Sequence, residues 1–166
     1  MHVRVRDVLT VGRGSGQVAL WSAFVITAAT GDVAMNSGSL HRFLAEAVWY
    51  PTALLPSPQL QWRGVNDSTA LATLTDHDVT VSLEFRFNRA DEVVAIYTPA
   101  RWGTFHGKYQ QRAWEGHFRK YQVHGDVLVP ADGEVGWYVD GQLQLVWRGR
   151  ILSAEYEKAP VHSAIR

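Results

Sequence analysis

Val79-Thr80-Val81-Ser82-Leu83-Glu84-Phe85-Arg86-Phe87-Asn88 is the stretch on which the fold class turns. On an extended chain Val79, Val81, Leu83, Phe85 and Phe87 fall on one side, and Thr80, Ser82, Glu84, Arg86 and Asn88 on the other. Strict alternation of this kind marks a strand with one buried face. Turn clusters bracket it, Asp76-His77-Asp78 before and Asn88-Arg89-Ala90-Asp91 after, and similar clusters recur at Gly12-Arg13-Gly14-Ser15-Gly16, His124-Gly125-Asp126 and Asp140-Gly141. Between them the pattern predicts strands near 2–11, 17–28, 60–65, 69–75, 79–88, 92–98, 112–122, 126–129, 134–139 and 143–156. Turns this short imply antiparallel neighbours.

One segment departs from period two. Asn36-Ser37-Gly38-Ser39 offers capping oxygens, after which Leu40, Phe43, Leu44, Ala47 and Val48 recur at helical spacing. This predicts a helix near 37–50, ended or bent at Trp49-Tyr50 by Pro51. Its second side carries Arg42, Glu46 and Trp49. A helix apolar on one side and aromatic on the other fits the hollow of a curved sheet. The expected fold class is therefore α+β, mainly β: a curved antiparallel sheet, half-barrel-like, wrapped around one helix.

The 166 residues read as a single domain over 1–158 with a C-terminal tail at 159–166. Apolar residues make up 46% and charged residues 19%, so the chain can build a core and is not disordered. Sixteen basic residues balance sixteen acidic ones, which argues against nucleic acid as a partner; thirteen of the basic residues are arginine, so local basic patches can exist. There is no cysteine, so disulfides and thiolate metal sites are excluded. Val18 to Ala29, the longest low-charge run, is shorter than the ~20 residues of a membrane helix. The chain as given reads as soluble, in the cytoplasm or at a membrane periphery, without membrane insertion.

The glycine cluster at 12–16 lacks the Lys-Ser/Thr of a phosphate loop, precedes a strand and does not place Ser15 in a nucleophile elbow, so it reads as a hairpin turn. Seven histidines at 2, 41, 77, 106, 117, 124 and 162 include no pair at metal-ligand spacing; no metal and no cofactor is expected. In Arg112 to Tyr121, Trp114 and Phe118 share one face, and Glu115, His117 and Arg119 the other. That polar row reads as a sheet face with cross-strand ion pairs, or as a site where Glu115 or His117 works as acid or base. Glu46, if enclosed, needs a cation such as Arg42, Arg101 or Arg148. Were Glu46 to meet Glu115 across the hollow, the two would form the carboxylate pair of glycoside hydrolysis. Seven tryptophans and six tyrosines suit an apolar or sugar-like ligand, and equally a plain core.

Several strings resemble an uncharacterised bacterial family of domains of unknown function, numbered 6544 or 6920. They are Val5-Arg6-Asp7, Gly12-Arg13-Gly14, Met35-Asn36-Ser37-Gly38, the run from Leu44 to Pro56, Tyr97-Thr98-Pro99-Ala100-Arg101, Trp114-Glu115-Gly116, Gly133-Glu134-Val135 and Trp147-Arg148-Gly149. The resemblance implies a curved antiparallel sheet with an embedded helix, similar to the half-barrels of periplasmic lipoprotein carriers. It assigns no catalytic residue. It also implies longer relatives with N-terminal, membrane-anchoring sequence, hence an open sheet edge here and a homodimer through it.

Two functions follow as expectations. The first is a binding domain for an apolar or amphiphilic small molecule, with Trp49, Tyr50, Tyr97, Trp102, Trp114 and Trp147 giving contact area and Arg101 or Arg148 holding a polar head group. The second is a small glycosidase or esterase with Glu46 and Glu115 as acid/base pair, assisted by His117 or Tyr97. A structural or interaction module is the remaining alternative.

Overall fold

The computed structural model describes residues 33–156 in full, together with the backbone of two strands, β1 (Arg4–Thr10) and β2 (Arg13–Ala19). These two pair antiparallel, Thr10 opposite Arg13; the glycine cluster read as the turn is mostly strand, with Gly14, Ser15 and Gly16 of β2 opposite Leu9, Val8 and Asp7 of β1, while residues 11–12 lie outside the described residues. The predicted strand over 17–28 is seen only to Ala19; its remainder lies outside the described residues. Helix α1 spans Val33–Glu46 and runs into one 3-10 turn at Ala47–Trp49 and a second at Pro51–Leu54. Seven strands follow, β3 (Leu60–Asn66), β4 (Thr69–Asp76), β5 (Val79–Phe87), β6 (Val93–Phe105), β7 (Lys108–His124), β8 (Val127–Val139) and β9 (Gln142–Arg150). They form one antiparallel meander in sequence order, with β3 and β9 at its edges. No helix among the described residues is long and apolar enough to cross a membrane.

Tight turns set the register. His106-Gly107 and Asp140-Gly141 link their strands as two-residue loops with positive φ at both positions, the mirror-image turns whose twist suits a hairpin. His106 is spent on such a turn, and His77, with positive φ, on the two-residue loop between β4 and β5. Ladder irregularities at Gly64/Asn66, Arg86/Phe87, Thr98/Arg101 and Val135/Gly136 add twist, which bends the sheet.

Alternation gives the sheet two different faces. On the inner face Phe85 and Ile96 face one another, and the row continues through Gly116 and Val135 to Trp147. On the outer face the neighbouring row is Arg86, Ala95, His117, Glu134 and Arg148. Helix α1 lies on the inner face. Its Leu44 and Ala45, with Val48 of the 3-10 turn that follows, join Leu60, Ala72, Leu83, Phe85, Ile96, Trp114 and Phe118 in one buried core. Trp62 seals one side, edge-on to Phe85 at 5.0 Å, its indole N–H donating to the Leu54 carbonyl at 2.9 Å.

The helix sits differently from expectation in two respects. It begins at Val33, so Asn36 to Ser39 lie within it and do not cap it. Its buried stripe is Ala34, Gly38, His41, Leu44 and Ala45, which turns Phe43 outward against Tyr50, ring centroids 6.0 Å apart. Gly38 sits on this face because the sheet approaches closely there: a β-carbon on it would stand 2.9 Å from the Trp102 carbonyl oxygen. The strands predicted over 126–129 and 134–139 are one strand, β8, running through Pro130. Mid-sheet proline is confined to irregular positions, and this one faces Tyr121 beside Lys120, whose backbone is left-handed at φ 58°.

Trp49 closes the inner face at the β7–β8 side. Its indole N–H donates to the Pro130 carbonyl at 2.9 Å, and its ring stands edge-on to Phe118 and Trp147 at 5.3 and 6.1 Å. Gly133 lies beneath it, and an added β-carbon there would stand 2.6 Å from Trp49 Cζ2. Gly133→Ala should therefore lower stability by about 1–3 kcal/mol through overpacking, read as a fall in the urea midpoint; an unchanged midpoint means Trp49 is free to move.

Candidate functional site

The inner face ends in an aromatic cluster around one cation. The ladder irregularity between Thr98 and Arg101 turns Arg101 toward the helix side. Its guanidinium carbon lies 4.7 Å from the Trp114 ring centroid and 5.0 Å from that of Trp137. One terminal nitrogen donates to the Gly38 carbonyl of α1 at 2.9 Å. The Nε–H is buried without a partner, and no carboxylate among the described residues lies within ion-pair distance. Burial lowers the Arg101 pKa to about 10; Tyr109 and, more weakly, the Glu46 carboxylate pull it back up, and Arg42 adds to the fall. A cation left this way costs free energy that a carboxylate would recover.

Aromatic rings continue along the β6–β7 hairpin. Trp102 and Tyr109 stack in parallel at 5.8 Å, Phe105 stands edge-on to Trp137 at 5.0 Å, and the Arg112 guanidinium covers Phe105 at 4.1 Å. Tyr109 is exposed, as are Val33 and Met35 at the start of α1. The Tyr109 hydroxyl comes within 3.3 Å of where a Gly38 β-carbon would be, so the helix start and the hairpin meet here.

His41 is buried on the same helix. It was one histidine of seven in sequence, yet it sits seven residues after Ala34 and four before Ala45, on the inward stripe. Its Nδ1 is 2.9 Å from the Ser37 carbonyl oxygen. Burial lowers its pKa, opposed by hydrogen bonding to the Ser37 and Ser82 carbonyls and reinforced by the Arg101 charge.

The outer face carries a charged network. His117 Nε2 is 2.7 Å from Glu115 Oε1, and its Nδ1 is 3.6 Å from Glu134 Oε1. Glu115 also accepts the Tyr138 hydroxyl at 3.0 Å and lies 3.7 Å from Arg86. Tyr97 stands edge-on to Tyr138 and under the Arg86 guanidinium. Glu134 accepts from Arg119 and Arg148, both at 3.0 Å. The Glu115, His117, Arg119 face predicted from period two forms, and its cross-strand partners complete the ion pairs. Among the described residues no group of three His, Asp or Glu side chains is placed to hold a metal ion.

Sequence-predicted residues therefore divide between two faces. Trp49, Arg101, Trp102, Trp114 and Trp147 belong to the helix side or its hairpin, and Tyr50 sits at its rim against Phe43. Tyr97 and Arg148 stand on the outer face, so Arg148 cannot share a head group with Arg101. Glu46 is paired with Arg42 at 2.5 Å on α1, while Glu115 points away from α1 on the far side of the sheet. Those two carboxylates do not converge, because Glu115 alternates with the inward Trp114. Sequence reasoning missed Trp137, Tyr109, Glu134 and Tyr138, whose roles depend on strand register rather than local pattern.

Glu134 sets an expected pH response. Burial raises its pKa, but hydrogen bonds and charge from Arg119 and Arg148 outweigh this and hold it below the ordinary value. A depressed carboxylate stabilises the fold above its unfolded pKa, about 4.3, and that contribution is lost as pH falls through the folded value. Stability should thus drop below about pH 4, and Glu134→Gln should flatten that drop in chemical denaturation at stepped pH.

Residues 1–156 match the family described as a family of unknown function (DUF6920). The chain belongs to the DUF6920 family. The match covers both the helix with its hollow and the outer charged face of this DUF6920 domain. No curated protein matches it, and no solved structure does, lipoprotein carriers included.

Proposed function

We propose that this DUF6920 domain binds an amphiphilic small molecule with an anionic head group at the Arg101 end of the hollow, between the start of α1 and the β6–β7 hairpin. Arg101 carries the reading: a partly buried guanidinium whose Nε–H lacks a partner and which forms no ion pair among the described residues, the Glu46 charge acting on it only from beyond contact distance. Two indole faces hold it in place without neutralising it. A head-group carboxylate would supply charge-assisted hydrogen bonds in a poorly solvated place, where they are strongest. The stacked Trp102–Tyr109 pair and the exposed Val33 and Met35 offer apolar surface for a chain.

Tryptophan fluorescence tests this in titrations with a long-chain fatty acid and with the alcohol of equal length. The acid should bind about tenfold tighter or better, and Arg101→Gln should erase the preference while leaving weak binding of the alcohol. Absence of a saturable change with either compound would sink the proposal.

A further inference from the structure

We infer a second binding site, on the outer face at the β7–β8–β9 end, for a phosphoryl group. A shallow cavity of about 600 Å³ is lined there by Arg119, Lys120, Asp132, Glu134, Arg148, Gly149 and Arg150. Four cations face two carboxylates, and the charges are layered. The carboxylates form the floor, with Glu134 7% and Asp132 13% exposed at the side chain, whereas Arg119, Lys120, Arg148 and Arg150 are 55%, 60%, 70% and 59% exposed. An approaching ligand meets the positive layer.

The floor fixes the cations and leaves them donors to spare. Glu134 Oε2 holds Arg119 Nη2 and Arg148 Nε, each at 3.0 Å. Asp132 takes Arg150 through both Nε and Nη2, at 2.6 and 3.1 Å, and Lys120 Nζ at 2.7 Å. Arg119 and Arg148 each use one donor of five on the floor. The remaining N–H groups form the planar forks that match phosphoryl oxygens.

Lys120 gives an independent sign that the place is built. Strict alternation along β7 would send it to the helix side, opposite Arg119. Its left-handed backbone, φ 58°, brings its ammonium to Asp132 on the outer face instead. Backbone outliers of this kind cost about 1–3 kcal/mol and persist at functional positions. Two adjacent residues thereby present cations on one face. The ligand class is a phosphomonoester or inorganic phosphate, free or as a lipid head group. The site is on the opposite face from Arg101 and does not depend on it.

Isothermal titration of the full chain decides, with inorganic phosphate, with pyrophosphate, and with phosphatidylcholine vesicles with and without phosphatidic acid. Saturable binding of a soluble phosphate identifies a free ligand; binding only to phosphatidic acid vesicles identifies a head group at a bilayer. Either result supports the site if the Glu134→Gln/Arg148→Gln pair of changes, which removes one charge of each sign, weakens binding about tenfold or more. Lys120→Gly, which suits the left-handed backbone, should weaken it about threefold or more, and the exposed Arg63→Gln on β3 should leave it unchanged. No saturable binding in any arm, or an equal loss in Arg63→Gln, overturns the inference.

Discussion

Phe85→Ala should cost about 3–5 kcal/mol of unfolding free energy, the range for deleting a large ring from a closed core. Phe85 has no exposed surface. It faces Ile96 across the β5–β6 ladder, touches Trp62 edge-on, and shares one core with Leu44 and Val48 from the helical segment. The site has no easy way to collapse, because strands on both sides are held by ladders and Trp62 is tied to Leu54 by its indole N–H. Equilibrium urea unfolding gives the value. A loss below about 1 kcal/mol would mean the helix is not seated on β5 as described.

Arg101→Met should move stability and binding in opposite directions. Removing a partly enclosed cation held by one carbonyl, two rings and a distant attraction to Glu46 relieves desolvation, while those contacts are lost. Desolvation of an unpaired charge outweighs contacts of about 0.5–2 kcal/mol, so the variant should gain about 1 kcal/mol in urea unfolding. The same change should weaken fatty-acid binding about tenfold or more. Loss of stability instead, by about 1 kcal/mol or more, would make Arg101 a structural strut between hairpin and helix. Opposite signs are the mark of a residue kept for ligand rather than for folding.

Much of this architecture was legible in the chain. Period two at Val79–Phe87 and Trp114–Arg119 assigned the faces correctly, since side-chain direction follows from strand geometry alone. Helix existence was legible too, but not its rotation: close approach of Trp102 to Gly38 turns the small-residue side inward, so apolar Phe43 points out and polar His41, on the same stripe as Gly38, points in. The candidate sites were less readable. That Glu115 and Glu46 sit on different sides of the sheet follows from which face the helix covers, and that Arg101 turns inward follows from one ladder irregularity. Glu134 joins His117 only through β7–β8 register, and Lys120 joins Arg119 only through an unusual φ. None of these is encoded in a local pattern.

The most direct measurement is the ¹⁵N–¹H spectrum of the arginine side-chain Nε–H groups during titration with a fatty acid held below its micellar concentration. The Arg101 signal, assigned by its loss in Arg101→Gln, should shift progressively and saturate while that of Arg63 stays in place. An Arg101 signal that does not move at saturating lipid contradicts the account.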